Sequence, residues 1–391
     1  MRHIPDTERR ARLARRHAVA PSHRLADPVA ATRAMTVLHA TEPASVYLSL
    51  LARVDGLTVA SVDRALFDDR TLVKQLAMRR TLFVFPRDLL PAAWGSASAR
   101  VAAALGTRLA KEAVEGGLAD DGAAWLERAR AATLAHLGGG VELSAADLRA
   151  RVPALTGHLT YSPDKSYGGT VPIAPRVLTQ LGVEGRIVRA HSTGHWRISR
   201  YTWALMESWL GDVPEPLTPH EGYAELVRRW LATFAPGTAD DLQWWLGSTK
   251  GAVTRALSDV AAVEVGLDGG GTGWVLPDDL DEEAAVEPWA ALLPVLDPTV
   301  MGWKERGFYL GEHGPALFDR NGNAGTTAWW DGRIVGCWVQ DPDGVVEVRT
   351  VDPVPVEAQR ALESEAARLT EWLDGQRVST VYPSPAMKEP R

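Results

Sequence analysis

The spacing of apolar and polar positions changes along the chain, and the changes divide it. In the first third, apolar residues recur at helical spacing, as in "PVAATRAMTVL" (residues 28–38) and "ASVYLSLLARV" (residues 44–54); that period gathers them on one face of a helix. Asp27 before Pro28 is a start signal for the first helix, Glu42-Pro43 starts the second, and Gly56 closes it. The first is expected to run up to His39, so that two helices meet at His39-Ala40-Thr41 with Thr41 where a cap belongs. "RRTLFVFP" (residues 79–86) then reads as β-structure. Helices followed by a strand pair is the order of a winged helix.

The same order returns twice. Residues 95–136 form a long Ala/Leu/Arg helical region broken at Gly116-Gly117 and ended by Gly138-Gly139-Gly140. Ser144 with Asp147 three residues on is close to a capping box. A helix ending near Gly182 and two alternating strands around Ser192-Thr193-Gly194 follow. The third pass has a helix, a Thr238-capped helix, a Thr249-capped helix, a strand, a glycine-rich tip and a strand. From Leu292 short strands take over, with turns marked by Asn321-Gly322-Asn323, Asp331-Gly332 and the "DPDG" of residues 341–344. An amphipathic helix, "VEAQRALESEAARLTEWL", covers them. The pattern predicts an α+β, mostly helical chain with three tandem winged-helix modules and a small C-terminal β-domain. The expected units are 1–95 with a basic N-terminal helix, 96–212, 213–288, 289–375 and a loose tail, 376–391.

With 391 residues, 46% apolar and 23% charged, the chain has the composition of a soluble globular protein, and no run approaches the ~18 to 20 apolar residues of a membrane span. With no secretory pattern either, it is expected in the cytoplasm, nucleoid-associated when bound to DNA, and monomeric. The single cysteine, Cys337, sits in the apolar run "IVGCW" and reads as buried. No His/Cys spacing of the zinc type occurs, so neither metal nor cofactor is expected.

Charge is divided unevenly. The net charge is −7, yet residues 1–100 hold 16 Lys+Arg against 9 Asp+Glu, a local balance of +7 that leaves −14 elsewhere. In "TERRARLARRHAVAPSHR" (residues 7–24), with Thr7 as the cap, Arg9, Arg12 and Arg16 fall on one helical face. That face is either solvated or a phosphate contact.

Four segments in order, "LVKQLAMRRTLFVFPRDLLP", "GTADDLQWWLGSTKGAVTRAL", "LLPVLDPTVMGWKERGFYL" and "FDRNGNAGTTAWWDGRIVGCW", resemble the winged-helix DNA glycosylases of the AlkZ/YcaQ type, which repair alkylated bases and interstrand crosslinks. The resemblance spans most of the chain. It implies three winged helices and a C-terminal β-barrel arranged as a C-shaped clamp on double-stranded DNA, damaged DNA being the expected partner. It also implies a monofunctional glycosylase that hydrolyses the N-glycosidic bond of bulky N7-alkylated purines or crosslinks. The family's catalytic signature is Gln, an apolar residue, then Gln; His39-Ala40-Thr41 occupies that slot, so both glutamines are replaced.

An N7-alkylated purine carries a positive charge and leaves as a neutral base, so what remains is to stabilise an oxocarbenium-like sugar and deliver water to C1′. Neutral His39 could hold that water and take its proton, Thr41 could fix it, and Glu42 could stabilise the sugar cation. Against this, Thr41 fits a helix cap, and a histidine at a helix C-terminus favours its cationic form. Arg79-Arg80 before "TLFVFP" matches the family's Arg-Gly-Thr-Leu stretch with Arg80 in place of glycine. Lys304, Arg306 and Arg320 lie beside turns of the β-domain, where they are expected to grip phosphates. Two other readings remain open on the sequence: a non-catalytic winged-helix DNA-binding protein, regulator or lesion binder, and a winged-helix interaction scaffold. The fifteen tryptophans, Trp244-Trp245 and Trp329-Trp330 among them, are read as core packing.

Overall fold

The computed structural model describes residues 1–161 and 169–388. A short strand β1 (His3–Ile4) and helix α1 (Asp6–Arg16) lead into α2 (Pro28–Ala34), strand β2 (Leu38–His39), α3 (Pro43–Leu51) and the hairpin of β3 (Leu72–Leu76) and β4 (Leu82–Pro86). Asp27 caps α2 by accepting from the amides of Val29 and Ala30, with Pro28 in the first turn. The helix ends at Ala34, short of His39, because Thr36 takes a left-handed conformation (φ 64°) and the chain turns out to pair with β4. The N-cap of α3 is Glu42, not Thr41, and that of α1 is Pro5, which leaves Thr7 inside the first turn.

The second pass runs through helices Ala99–Glu115, Gly122–His136, Ala145–Arg151 and Ala174–Val183, with the hairpins β5 (His158–Tyr161) with β6 (Gly169–Pro172) and β7 (Ile187–Ser192) with β8 (Tyr201–Leu205). Ser144 and Asp147 form the capping box foreseen for it. Leu109, Trp125, Val177, Leu181 and Trp203 pack into a core of this pass's own, whereas Val188, Ala190, Trp196 and Ala204 of its last hairpin join the larger core of the rest. The third pass has helices Pro219–Phe234, Ala239–Leu246 and Lys250–Asp259, the last two capped by Thr238 and Thr249 as expected, and the hairpin of β9 (Val263–Leu267) and β10 (Thr272–Val275). Strand β1 adds to this hairpin, parallel to β9, with His3 opposite Gly266. The N-terminal helix assigned by sequence to the first unit is therefore tied to the third.

In the C-terminal part, β11 (Ala290–Leu293), β12 (Thr327–Trp330), β13 (Arg333–Gln340) and β14 (Val346–Thr350) form one antiparallel sheet in sequence order. It is open: the outer strands β11 and β14 do not pair, and the helix Val356–Leu373 packs on both, burying Leu362, Leu369 and Leu373. An apolar stripe thus covers the sheet where a barrel would need a closing ladder. The first, third and C-terminal parts share one core, from Ile4 to Ala386.

Helix α3 is held at both ends by this C-terminal part. Just past it, Arg53 makes a fully buried two-pronged pair with Asp297, at 2.7 and 2.9 Å, and donates to the Ser49 carbonyl and Thr299 Oγ1, both at 2.7 Å. At its start, Glu42 Oε1 accepts from Val381 N at 2.7 Å and Thr380 Oγ1 at 2.9 Å. The tail expected to be loose is packed as far as residue 388, with Ser384 and Ala386 buried; residues 389–391 lie outside the described residues.

Candidate active site and nucleic-acid interface

His39 stands in β2 directly opposite Phe83, its ring edge-on to the phenyl at 5.4 Å. Its Nδ1 is buried without a hydrogen-bond partner, while the residue as a whole is only partly buried. Burial, and secondarily the nearby Arg79 cation, push the imidazole pKa down to about 3. This reverses the expectation for a histidine at a helix end: there is no helix C-terminus here, and the ring is neutral throughout the physiological range. Thr41 is exposed, and its hydroxyl makes no hydrogen bond among the described residues, so it is neither the α3 cap nor sealed in the core. Glu42 turns toward the tail. Burial raises its pKa, Oε1 is engaged by Val381 and Thr380, and Oε2 is buried unpartnered. A carboxyl bound this way is not the free anion expected beside a sugar cation.

Beside His39 the hairpin turn brings in Arg79. Arg79 and Arg80 both adopt left-handed backbone conformations, φ 52° and 59°. Position 80 thus keeps the geometry that suits glycine, at a strain of order 1–3 kcal/mol for an arginine. The Arg79 guanidinium lies 4.0 Å from the centroid of Trp244, and Arg306 approaches the same ring at 5.1 Å and Phe318 at 4.7 Å. Gly247 makes this approach possible: it is left-handed (φ 60°), and a β-carbon there would stand 2.7 Å from Arg79 Cγ. Among the described residues neither guanidinium forms an ion pair; Arg306 donates to the Trp303 carbonyl at 2.8 Å, and Arg79 Nε is buried unpartnered. Burial, then repulsion from Arg306, lower the Arg79 pKa to about 10. Two half-buried cations, neither in an ion pair among the described residues and with Asp241 acting on Arg306 only at longer range, can receive an anion.

The remaining expected contacts divide. Arg80 is exposed. Lys304 is exposed but has Asp240 at 3.4 Å. Arg320 is exposed on the loop bridged by Phe318 and Ala324, which Asp319 braces by accepting from Asn321 N and Asn323 N and Nδ2. The α1 arginines are corrected outright. Arg12 is 1% exposed and paired with Glu8 and Asp279, Arg16 is paired with Asp279 and Glu283, and Arg9 lies 3.7 Å over Phe308 with Asp6 beside it. Helical spacing does place Arg12 and Arg16 together, but the acidic segment after β10 neutralises that side and buries it. Trp244, read from the sequence as core packing, instead has Arg79 and Arg306 against its ring. Its neighbours Asp241, Leu242 and Trp245 are buried while it is only partly so; its place on the flank of that helix is the one trace in the sequence.

The arrangement can hold a neutral hydrogen-bonding ring next to a paired cationic patch, a combination suited to hydrolysis on an anionic polymer. Comparison with curated proteins gives no match. Among solved structures the fold is similar to that of the Streptomyces sahachiroi DNA glycosylase AlkZ, with a TM-score of 0.72 and 19% identity, over 94% of this chain and 97% of that one. The model of the AlkZ-like DNA glycosylases matches residues 32–372, from α2 to the closing helix, and the chain belongs to that family.

Proposed function

We propose that this glycosylase hydrolyses the N-glycosidic bond of N7-alkylated purines in duplex DNA, bulky adducts and crosslinks included, with His39 and Thr41 holding the attacking water. The reading rests on one observation above the others: His39 is kept uncharged by burial and by Arg79, and its environment leaves ring hydrogen-bonding capacity unused. A ring whose pKa is near 3 is a poor proton acceptor but a sound hydrogen-bond acceptor. It therefore does what the amide of a glutamine does: it orients water toward C1′ and stabilises the sugar cation by a neutral dipole. Because the cationic base departs neutral, no acid is required; the glycosidic C1′–N9 bond breaks with its electron pair going to the base, water adds at C1′, and the proton it then loses passes to solvent rather than staying on His39.

Arg79, Arg306, Arg80, Lys304 and Arg320 supply the phosphate contacts. The first two grip the backbone next to His39, and Lys304 and Arg320 contact it farther along. The three helix-then-hairpin units act as winged helices on the duplex. The α1 arginines have no part in this.

The test is a duplex carrying one N7-methylguanine, scored for alkali-labile abasic sites. Product is expected from wild type and lost in His39→Ala while duplex binding stays within about twofold. Undiminished product in His39→Ala would move the active site elsewhere.

A further inference from the structure

The chain beyond the helix Val356–Leu373 lies outside the family-matched residues, yet it is built into the structure. It runs back along β13. Val378 N donates to Gln340 Oε1 at 2.8 Å, and Gln340 Nε2 returns a bond to the Gln376 carbonyl at 3.0 Å. Gln376 Oε1 accepts from Trp196 Nε1 of the β7–β8 loop at 3.1 Å, and Arg197 of the same loop donates to the Arg377 carbonyl. Farther on, Arg349 donates to the Met387 carbonyl at 3.3 Å.

Between these anchors the segment meets Glu42, and Glu42 is the N-cap of α3. An N-cap side chain ordinarily turns inward to bind its own helix amides; this one makes no such bond and gives its oxygen to Val381 N and Thr380 Oγ1 instead. Residues 39–42 are thereby pinned from two sides. On one side His39 pairs with Phe83 and Ala40 N donates to the Leu82 carbonyl at 2.9 Å. On the other stands the C-terminal segment. Beneath it a cavity of about 180 Å³, lined by Ala44, Leu48, Val295, Trp338 and Met387, leaves part of the contact unpacked. Among the described residues, the hydrogen bonds to Glu42 connect segment and turn directly.

We infer that residues 376–388 form a strap that sets the position of the His39-Ala40-Thr41 turn, with Glu42 the positioning residue through which it acts. The inference rests on the reading of that turn as the active site. A shift of about 1 Å in a water-holding group can cost up to about 100-fold in rate, so loss of the strap lowers the chemical step and leaves duplex affinity in place.

The experiment measures single-turnover product formation and duplex binding in Thr380→Val/Val381→Pro, which removes both donors, and in Glu42→Ala, their combination, Glu42→Gln and His39→Ala. Val381 is 78% exposed, so the proline removes a donor without opening the core. The donor-less variant and Glu42→Ala are expected to slow product formation by about tenfold or more with binding unchanged, and the combination to be no slower than the worse of the two. Glu42→Gln, whose amide oxygen still accepts both bonds, is expected to restore most of the rate. If Glu42→Gln falls as far as Glu42→Ala, the charge itself acts and the strap is overturned. An unchanged rate in the donor-less variant, with His39→Ala inactive, overturns the strap and leaves the active-site reading standing. If His39→Ala stays active, that reading falls, and amide exchange at residues 40–45 in the donor-less variant decides the strap alone: unchanged exchange overturns it.

Discussion

Arg79 lies against the face of Trp244 at 4.0 Å, joining the β3–β4 turn to the helix Ala239–Leu246 of the third unit. Arg306 approaches the same ring at 5.1 Å, and neither cation forms an ion pair with a carboxylate among the described residues. Each guanidinium that meets a phosphate releases about one counterion. Arg79→Met and Arg306→Met are therefore each expected to reduce the slope of log affinity against log salt by about one, as read from binding titrations between 50 and 200 mM salt. Trp244→Ala is expected to approach their combined effect, since it removes the surface on which both are stacked.

Catalysis should not report a histidine titrating near its ordinary value. With the His39 pKa near 3, the single-turnover rate is expected to stay flat from pH 8 down to about pH 5. Arg79→Met removes one cause of the lowering and should move the acid limb upward, without bringing it to the unperturbed value, because burial is the larger cause.

Stability should respond to acid earlier than activity does. His39, and His17 buried between Thr299 and the Thr233 carbonyl, both have folded pKa values below the unfolded one, His17 chiefly through burial and then Arg53. In the unfolded chain they take up protons below about pH 6.5 while the fold keeps them neutral. The stability present above pH 6.5 is thus lost as pH falls toward the folded values, by up to about 1.4 kcal/mol per pH unit for each ring. Urea midpoints between pH 7.5 and 5 should fall, and fall less steeply in His39→Gln.

Arg12 separates a structural role from a DNA contact. Arg12→Met removes the buried cation between Glu8 and Asp279, which keep Arg2 and Arg16 as partners, and the loss is expected at roughly 1 to 3 kcal/mol. The salt slope of DNA binding should be that of wild type. A slope reduced by one with stability intact would return α1 to the interface.

Asp297→Ala should be among the most damaging single changes. It strands the Arg53 guanidinium in a site with no exposure and removes the acceptor of Ser49 Oγ, at an expected cost of about 3 to 5 kcal/mol. Thermal unfolding against a surface control such as Arg108→Ala would measure it.

What could be read in the sequence, and what could not, follows from the range of the interactions. Caps at Asp27, Ser144, Thr238 and Thr249 bind amides two or three residues away, so local residue types reveal them. Likewise Asp331-Gly332 turns β12 into β13 with both residues left-handed, as its composition demands. The His39 segment was placed as a site by resemblance, but its strand and its neutrality depend on Phe83 and Arg79, forty residues on. The fates of Arg12 and Arg16 were settled by Asp279, and that of Glu42 by Thr380. Helical periodicity says that three arginines share a face; it does not say what lies opposite.

The pairing of His3 with Gly266 bears on synthesis as well as on structure. At about 5 to 20 residues per second, a ribosome takes roughly 13 to 50 seconds to make the intervening chain. Throughout that interval β1 lacks its strand partner and α1 lacks the carboxylates of Asp279 and Glu283. The nascent chain therefore carries a bare arginine-rich helix, open to holdases and to polyanions, until the third unit emerges to cover it.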